Sequence, residues 1–460
     1  MSTVKPFKAV RPKDNEFAKL IASLPYDVYT REEARKAVEG KPWSFLNIDR
    51  PETYFEPEHD MYAHEVYAKA KEEYERWKAE GALITELRPS YYVYELTMDG
   101  RTQTGIVGVT AVSDYENGFC RKHENTVAEK EADRISHVDT LSAQTGPIFL
   151  AYHGNPAINQ IVNDTKVTKP MFDFTSEEGI RQRVWRMDYP PLVKMLEGYF
   201  EFVEFTYIAD GHHRAASAVK VSQKRRKNNS APGICELTSG DDRNDIMAGR
   251  TVKALSGWSD SKNTFDDDKI ESEYFLSVLF PDSELKILDY NRIVKDLNGL
   301  SASEFIAKIE NETPFSVEKI GKCGDPEIMR PSSKNRVGMY LCGEYYMLTV
   351  DPSYASSVKD DPVKSLDVSI LQDTLLDPIL GIGDPRTDKR IKFVGGIRGL
   401  LPLKDEVDSL TADGNCAVSF AMNPTSMDEL FKVADAGLLM PPKSTWFEPK
   451  LRSGLFIHEI

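Results

Sequence analysis

No stretch of this chain approaches the roughly 18 uninterrupted apolar residues that cross a bilayer, so membrane insertion is not expected. The start, Met1 to Phe7, lacks the apolar run of a secretory leader. Cysteine is sparse and unpaired in spacing: Cys120, Cys235, Cys323, Cys342 and Cys416 are odd in number and far apart, fitting neither a zinc site nor a redox motif. Together these absences make a reducing cytoplasm the expected location. Positive charge is also short, with 58 Lys and Arg against 73 Asp and Glu for a net charge of −15. That balance disfavours non-specific attraction to a nucleic-acid backbone, which depends on Lys and Arg neutralising phosphates. There is no G-x-x-x-x-G-K-[ST] spacing, which excludes an ordinary Walker site, and no internal repeat.

What is present is ordinary globular composition, 40% hydrophobic and 28% charged, in 460 residues, enough for two or three domains. The pattern of short strands and helices predicts an α/β class (α+β, mixed sheets). Helical spacing runs over Glu32 to Val38 and Tyr62 to Lys78. Asp99-Gly100 between Tyr91–Leu96 and Thr104–Val109 signals a hairpin. A polar helix is expected from Asn125 to Val138, buried strand from Gly146 to Ala151, strands at Lys286–Tyr290 and Glu344–Val350, and a helix from Val368 to Leu380 ended by Gly381. The acidic cluster around Thr264 to Asp268 is poor core material and places a boundary between domains 1–265 and 266–460.

The most informative segment is Asp210-Gly211-His212-His213-Arg214. It follows an aromatic, β-branched strand (Phe202 to Ile208) and precedes a helix beginning near Ala215. A helix N-terminus exposes unpaired N–H groups and the positive end of the dipole, so a glycine turn there forms an anion site. Asp210 as a simple cap and a solvated basic turn are the plainer alternative. Against it, three potential cations at an N-terminus are unfavourable unless something anionic joins them.

A second segment, Arg121 to Arg134, puts His123, Thr126, Lys130 and Arg134 near one helical face, flanked by Glu124 and Glu131. This suits a polyphosphate clamp by Lys130 and Arg134 with a carboxylate for magnesium or a hydroxyl proton, or else a solvated helix of paired charges. A third, Met440 to Lys450, has two prolines followed by Lys443, Ser444 and Thr445, a stiff loop able to close over an anion or to dock Trp446 and Phe447 on the core. Weaker signals are Leu24 to Val28, the turn Gly395 to Gly399, and the cationic run Lys224 to Lys227, which reads as a helix C-terminal surface feature.

These three motifs together resemble a prokaryotic family catalogued as a domain of unknown function. The Asp210 to Arg214 box is also similar to the strand-turn-helix box of the ParB/sulfiredoxin-like fold, in the form carried by free serine kinases. The resemblance implies a ParB/sulfiredoxin-like core with a second α+β domain carrying the Met440 to Thr445 loop. Sulfiredoxins have a cysteine in the box where this chain has His212 and His213, and partition proteins continue into a basic DNA-binding module that is not evident after Lys227.

The resulting expectation is a cytoplasmic, nucleotide-dependent phosphotransferase acting on a small hydroxyl substrate, best L-serine. ATP or ADP and Mg2+ serve as cofactors. Asp210, Glu124, Arg214 and His213 are the candidate catalytic residues, with Glu124 also the candidate Mg2+ ligand. Gly211, His212, His213, Arg214, Lys130, Arg134, Lys443, Ser444 and Thr445 are assigned to the nucleotide. The alternative is a ParB-like nucleotide-binding or hydrolysing regulatory protein without kinase activity. A homodimer is left open, and no nucleic-acid partner is expected.

Overall fold

The computed structural model describes residues 2–230, 270–322, 324–412 and 416–460, side chains 229 and 230 excepted. The loop reading for Cys235 to Asp260 and the boundary near Thr264 to Asp268 lie outside the described residues.

Two sheets organise a mixed α/β chain. The first has nine strands, with neighbours in the order Cys120–Arg121, Thr206–Asp210, Ile148–Tyr152, Tyr274–Pro281, Arg101–Ala111, Tyr91–Met98, Arg181–Met187 and Phe172–Thr175; Val4–Lys5 also pairs with Arg101–Ala111. It is mixed: Thr206–Asp210 runs parallel to Cys120–Arg121, and Tyr274–Pro281 runs parallel to Ile148–Tyr152. The second sheet is antiparallel, in the order Phe315–Lys322, Glu344–Val350, Arg336–Leu341, Val418–Met422, Tyr290–Val294, Ile391–Gly395. In chain order the apolar strand Tyr274–Pro281 is the last to pair into the first sheet, and Tyr290–Val294 is the first to pair into the second.

Local chemistry explains much of this. The hairpin forms where expected, Asp99 and Gly100 both taking positive φ (50° and 78°) as a primed two-residue turn requires. Helix His64–Ala79 buries Val66, Tyr67, Ala70, Tyr74 and Trp77 on one face. The helix expected from Val368 begins at Asp367, passes into a π-helical turn over Gln372–Leu376, and ends before Gly381 at φ 67°. The cationic run pairs within the chain, Lys224 with Asp139 and Arg226 with Glu116 and Glu273.

The chain's end returns to its beginning. Ile457 pairs with Val10, Ser453 with Ser23, and His458–Glu459 with Ala143–Gln144. One hydrophobic cluster runs through both sheets, from Phe149 and Phe280 to Phe420 and Phe447, so the two halves share a core. Among the described residues no helix is long and apolar enough to cross a membrane.

Candidate functional site

The strand before the glycine turn is Thr206–Asp210, and the helix after it is His212–Ser230. Phe202 to Phe205 precede the strand rather than forming it, since helix Pro190–Phe200 has only just ended there. The pairing with Ile148–Tyr152 slips between Ile208 and Asp210, so Ala209 is an extra residue that bends the strand end. Gly211 then turns at φ 94°, and a Cβ there would lie 3.0 Å from Arg214 Nε. Only glycine lets the guanidinium fold back over the turn.

Arg214 is largely buried, its side chain 10% exposed, with Nη1 donating to the Pro147 carbonyl at 2.5 Å and Nη2 to Asp210 Oδ2 at 3.4 Å. Lys450 Nζ, from the far end of the chain, donates to the same Oδ2 at 3.4 Å. Burial alone would raise the Asp210 proton affinity, but Lys450 and Arg214 outweigh it and hold the carboxyl at about 2.

Neither imidazole supplies the expected positive charge. Burial pushes His212 well below the usual histidine range, reinforced by His123 packed edge-on at 4.6 Å. Burial likewise lowers His213, and its Nε2 accepts the Val127 N–H at 3.0 Å. With Nε2 an acceptor, the ring is neutral and its proton sits on Nδ1. The three cations expected at the helix N-terminus are thus one, and Asp210 is its internal counter-charge.

The second segment differs from expectation in shape. Its helix is Ala128–Leu141, so His123, Glu124 and Thr126 belong to a loop and share no helical face with Lys130 and Arg134. The loop is tied down across the helix N-terminus: His123 N donates to His212 Nε2 at 3.4 Å and its carbonyl accepts Met440 N at 2.8 Å. Lys130 is exposed. Arg134 is buried against the Tyr26 ring at 4.0 Å and paired with Asp133 at 2.9 Å. It lines a separate small cavity with Asp49, Thr145 and the inner side of Arg214. Lys130 and Arg134 are therefore not brought together: one is at the surface and the other is buried against Tyr26 in a separate cavity.

The third segment does reach the site. A cleft of about 770 Å³ is lined by Glu124, Asp210, His212, Lys443, Thr445 and Lys450, among others. Lys443 takes φ 60° and its carbonyl accepts Arg292 Nη2 at 3.1 Å. Ser444 is buried, its hydroxyl donating to the Pro441 carbonyl at 2.5 Å, so it holds the loop rather than facing the cleft. Glu448 accepts Trp446 Nε1 at 2.9 Å and Lys450 N at 3.0 Å, orienting both.

Glu124 behaves unlike Asp210. About a third of its side chain is open to the cleft, and burial raises its proton affinity although Lys443 pulls it down. Two carboxylates in one cleft therefore differ, one permanently ionised and one tuned upward. Asp27, Arg398, Glu448 and Lys450 also line this space. They fall in the segments Leu24 to Val28, Gly395 to Gly399 and Met440 to Lys450 that the sequence singled out, although none of the four was given a role of its own. The wall at Gly395 needs glycine, since a Cβ there would lie 2.7 Å from the Trp446 ring. Among the described residues no three His, Cys, Asp or Glu side chains cluster as metal ligands.

The chain belongs to the DUF1015 family of proteins of unknown function, whose model matches residues 4–369. No curated protein matches it. Among solved structures it is similar to SbnI with a C-terminal truncation from Staphylococcus aureus, at 10% identity over 74% of this chain and 82% of that one, TM-score 0.35. It is also similar to a free serine kinase mutant in complex with AMP, at 12% identity over 75% and 87%, TM-score 0.30. A conserved hypothetical protein from Pyrococcus furiosus gives 12% identity over 76% and 93%, TM-score 0.30.

Proposed function

We propose that this protein is a nucleotide-dependent phosphotransferase acting on a small hydroxyl substrate, with free L-serine as the first acceptor to test and ATP or ADP as donor. The observation that carries the reading is the meeting of Asp210 and His212, on either side of the glycine turn, with Glu124, Lys443 and Lys450 in one cleft of about 770 Å³. That volume falls within the roughly 300–1,000 Å³ of small-ligand sites.

In this reading the amides of the first turn of His212–Ser230 take phosphate oxygens, His212 and His213 contributing backbone rather than imidazolium charge. Lys443 and Lys450 supply the positive charge that the imidazoles do not, and Thr445 offers a hydroxyl. Arg214 fixes Asp210 from behind, and Asp210 in turn aims Lys450. Glu124, with its raised proton affinity, is the better proton acceptor for the substrate hydroxyl, since a carboxyl held at about 2 is a weak base. Magnesium fits only as a companion of the phosphates, whose charge it neutralises, because the described residues hold no ligand cluster of their own.

The test is to incubate folded protein with L-serine, magnesium and either ATP or ADP and to look for O-phosphoserine by mass spectrometry. Product whose rate of formation falls sharply in Glu124→Gln supports the reading. Nucleotide binding by calorimetry with no product from serine or other small hydroxyl compounds would favour a nucleotide-gated binding protein instead.

A further inference from the structure

Spacing along the chain left the cysteines unpaired, but folding brings two of them together. Cys342 and Cys416 lie with Sγ atoms 3.1 Å apart, both as free thiols. This is about 1 Å beyond the roughly 2.05 Å of a covalent S–S bond. Backbone pairing accounts for the approach. Leu341 pairs both with Glu344 across a hairpin and with Val418 on the neighbouring strand, so the hairpin turn and the residues leading into Val418–Met422 share one sheet end. Cys342 takes φ 47° and Gly343 φ 82°, the left-handed pair of a tight turn, which projects Cys342 at the surface. Cys342 is exposed and Cys416 half-buried.

We propose that Cys342 and Cys416 form a reversible dithiol–disulfide site, oxidised by low-molecular-weight disulfides of the glutathione type. The Cys342 thiolate attacks one sulfur of the small disulfide; that S–S bond breaks, and one small thiolate leaves with the electron pair. Cys416 then gives its proton to solvent and attacks the Cys342 sulfur, expelling the second small thiol. Two protein thiols are oxidised by two electrons, and one small disulfide is reduced to two thiols. The order follows from access and from proton affinity: the Cys416 thiol is pushed up to about 12, by burial first and then by Cys342 beside it. The exposed partner is therefore the one that captures the oxidant.

The bond closes a covalent ring containing the strand Ile391–Gly395 and the turn Gly395 to Arg398, one wall of the cleft. Because such a bond acts chiefly by constraining the unfolded chain, the oxidised form gains stability. This site stands apart from the proposed phosphotransfer and needs no nucleotide.

The test is to equilibrate the folded protein across a series of oxidised-to-reduced glutathione ratios, quench with a maleimide, and map peptides by mass spectrometry. A Cys342–Cys416 peptide, absent in Cys342→Ser and Cys416→Ser and accompanied by a rise in Tm that neither variant shows, is expected. A persistent glutathione adduct on Cys342, a bond to a different cysteine, or a pair formed only after denaturation would each overturn the proposal.

Discussion

Replacing Lys450 by Met tests whether the ion pair at the turn is an energetic tie between the chain's end and its most informative motif. Lys450 and Arg214 both reach Asp210 Oδ2 at 3.4 Å, and the Asp210 side chain is 28% exposed. Its carboxyl is held at about 2 against an ordinary 3.8, despite burial pulling the other way. At about 1.4 kcal/mol per pH unit that depression is worth about 2 kcal/mol in the folded state. Lys450 is the first of the favourable contributors, so Lys450→Met should cost about 1–3 kcal/mol near neutral pH, the methionine keeping most of the packing. The sign of the pH dependence is fixed. A carboxylate whose folded pKa is depressed stabilises fully above its unfolded value and loses that contribution as pH falls towards the folded one. The gap between wild type and variant should therefore be constant at neutral pH, narrow below about pH 4 and close near pH 2. Urea unfolding of both proteins from pH 7 to pH 3, compared as a difference, reads this directly. A gap that does not change with pH would show that Lys450 acts by packing alone and refute the reasoning.

Glu124→Gln should remove the acid limb of the turnover–pH profile: in wild type, activity falls with acidity through a pKa above the ordinary 4.5, and the variant should be slow and flat, as stopped-time product assays across pH would show. Arg214→Ala should lower turnover by up to about 10² through misplacement of Asp210 and Lys450 while circular dichroism stays unchanged, and Arg214→Lys should not rescue it, because an ammonium cannot reach both Pro147 and Asp210; full activity in either variant counts against the site. Gly395→Ala should weaken nucleotide binding in calorimetry more than it lowers Tm, since a Cβ 2.7 Å from Trp446 displaces the cleft wall; unaltered affinity would mean that the wall is not used.

Legibility in the sequence followed the range of the interaction. The Asp99-Gly100 hairpin and the strand–glycine–helix box were readable because turn chemistry is local and strong. The Arg121 to Arg134 segment was misread as one helix because its charges continue a helical period backwards past Ala128. The true start lacks a side-chain cap at Val127, and Glu129 and Glu131 in the first turn were the only markers of it. Arg134 looked like a phosphate ligand because charge is expected at the surface, whereas its burial depends on Tyr26 and Asp133. Lys450 and Asp210 lie 240 positions apart, and Cys342 and Cys416 74 apart, so neither pair leaves any trace in local spacing.

The histidines carry the deeper lesson about the box. Two imidazoles and a guanidinium at a helix N-terminus looked electrostatically incomplete without an external anion. The structure removes that tension without one: both rings are neutral, and His213 serves as an acceptor that fastens the Glu124 loop through Val127. The positive charge facing the cleft comes instead from Arg398 and from Lys443 and Lys450, the last two on the segment most distant in sequence. Anion binding at this site therefore depends on the closing segment being docked against His123 and Asp210. Replacing Lys443 and Lys450 together would keep the glycine turn and its amides but remove two of the three cations that line the cleft among the described residues, and with them most of the charge for a polyphosphate.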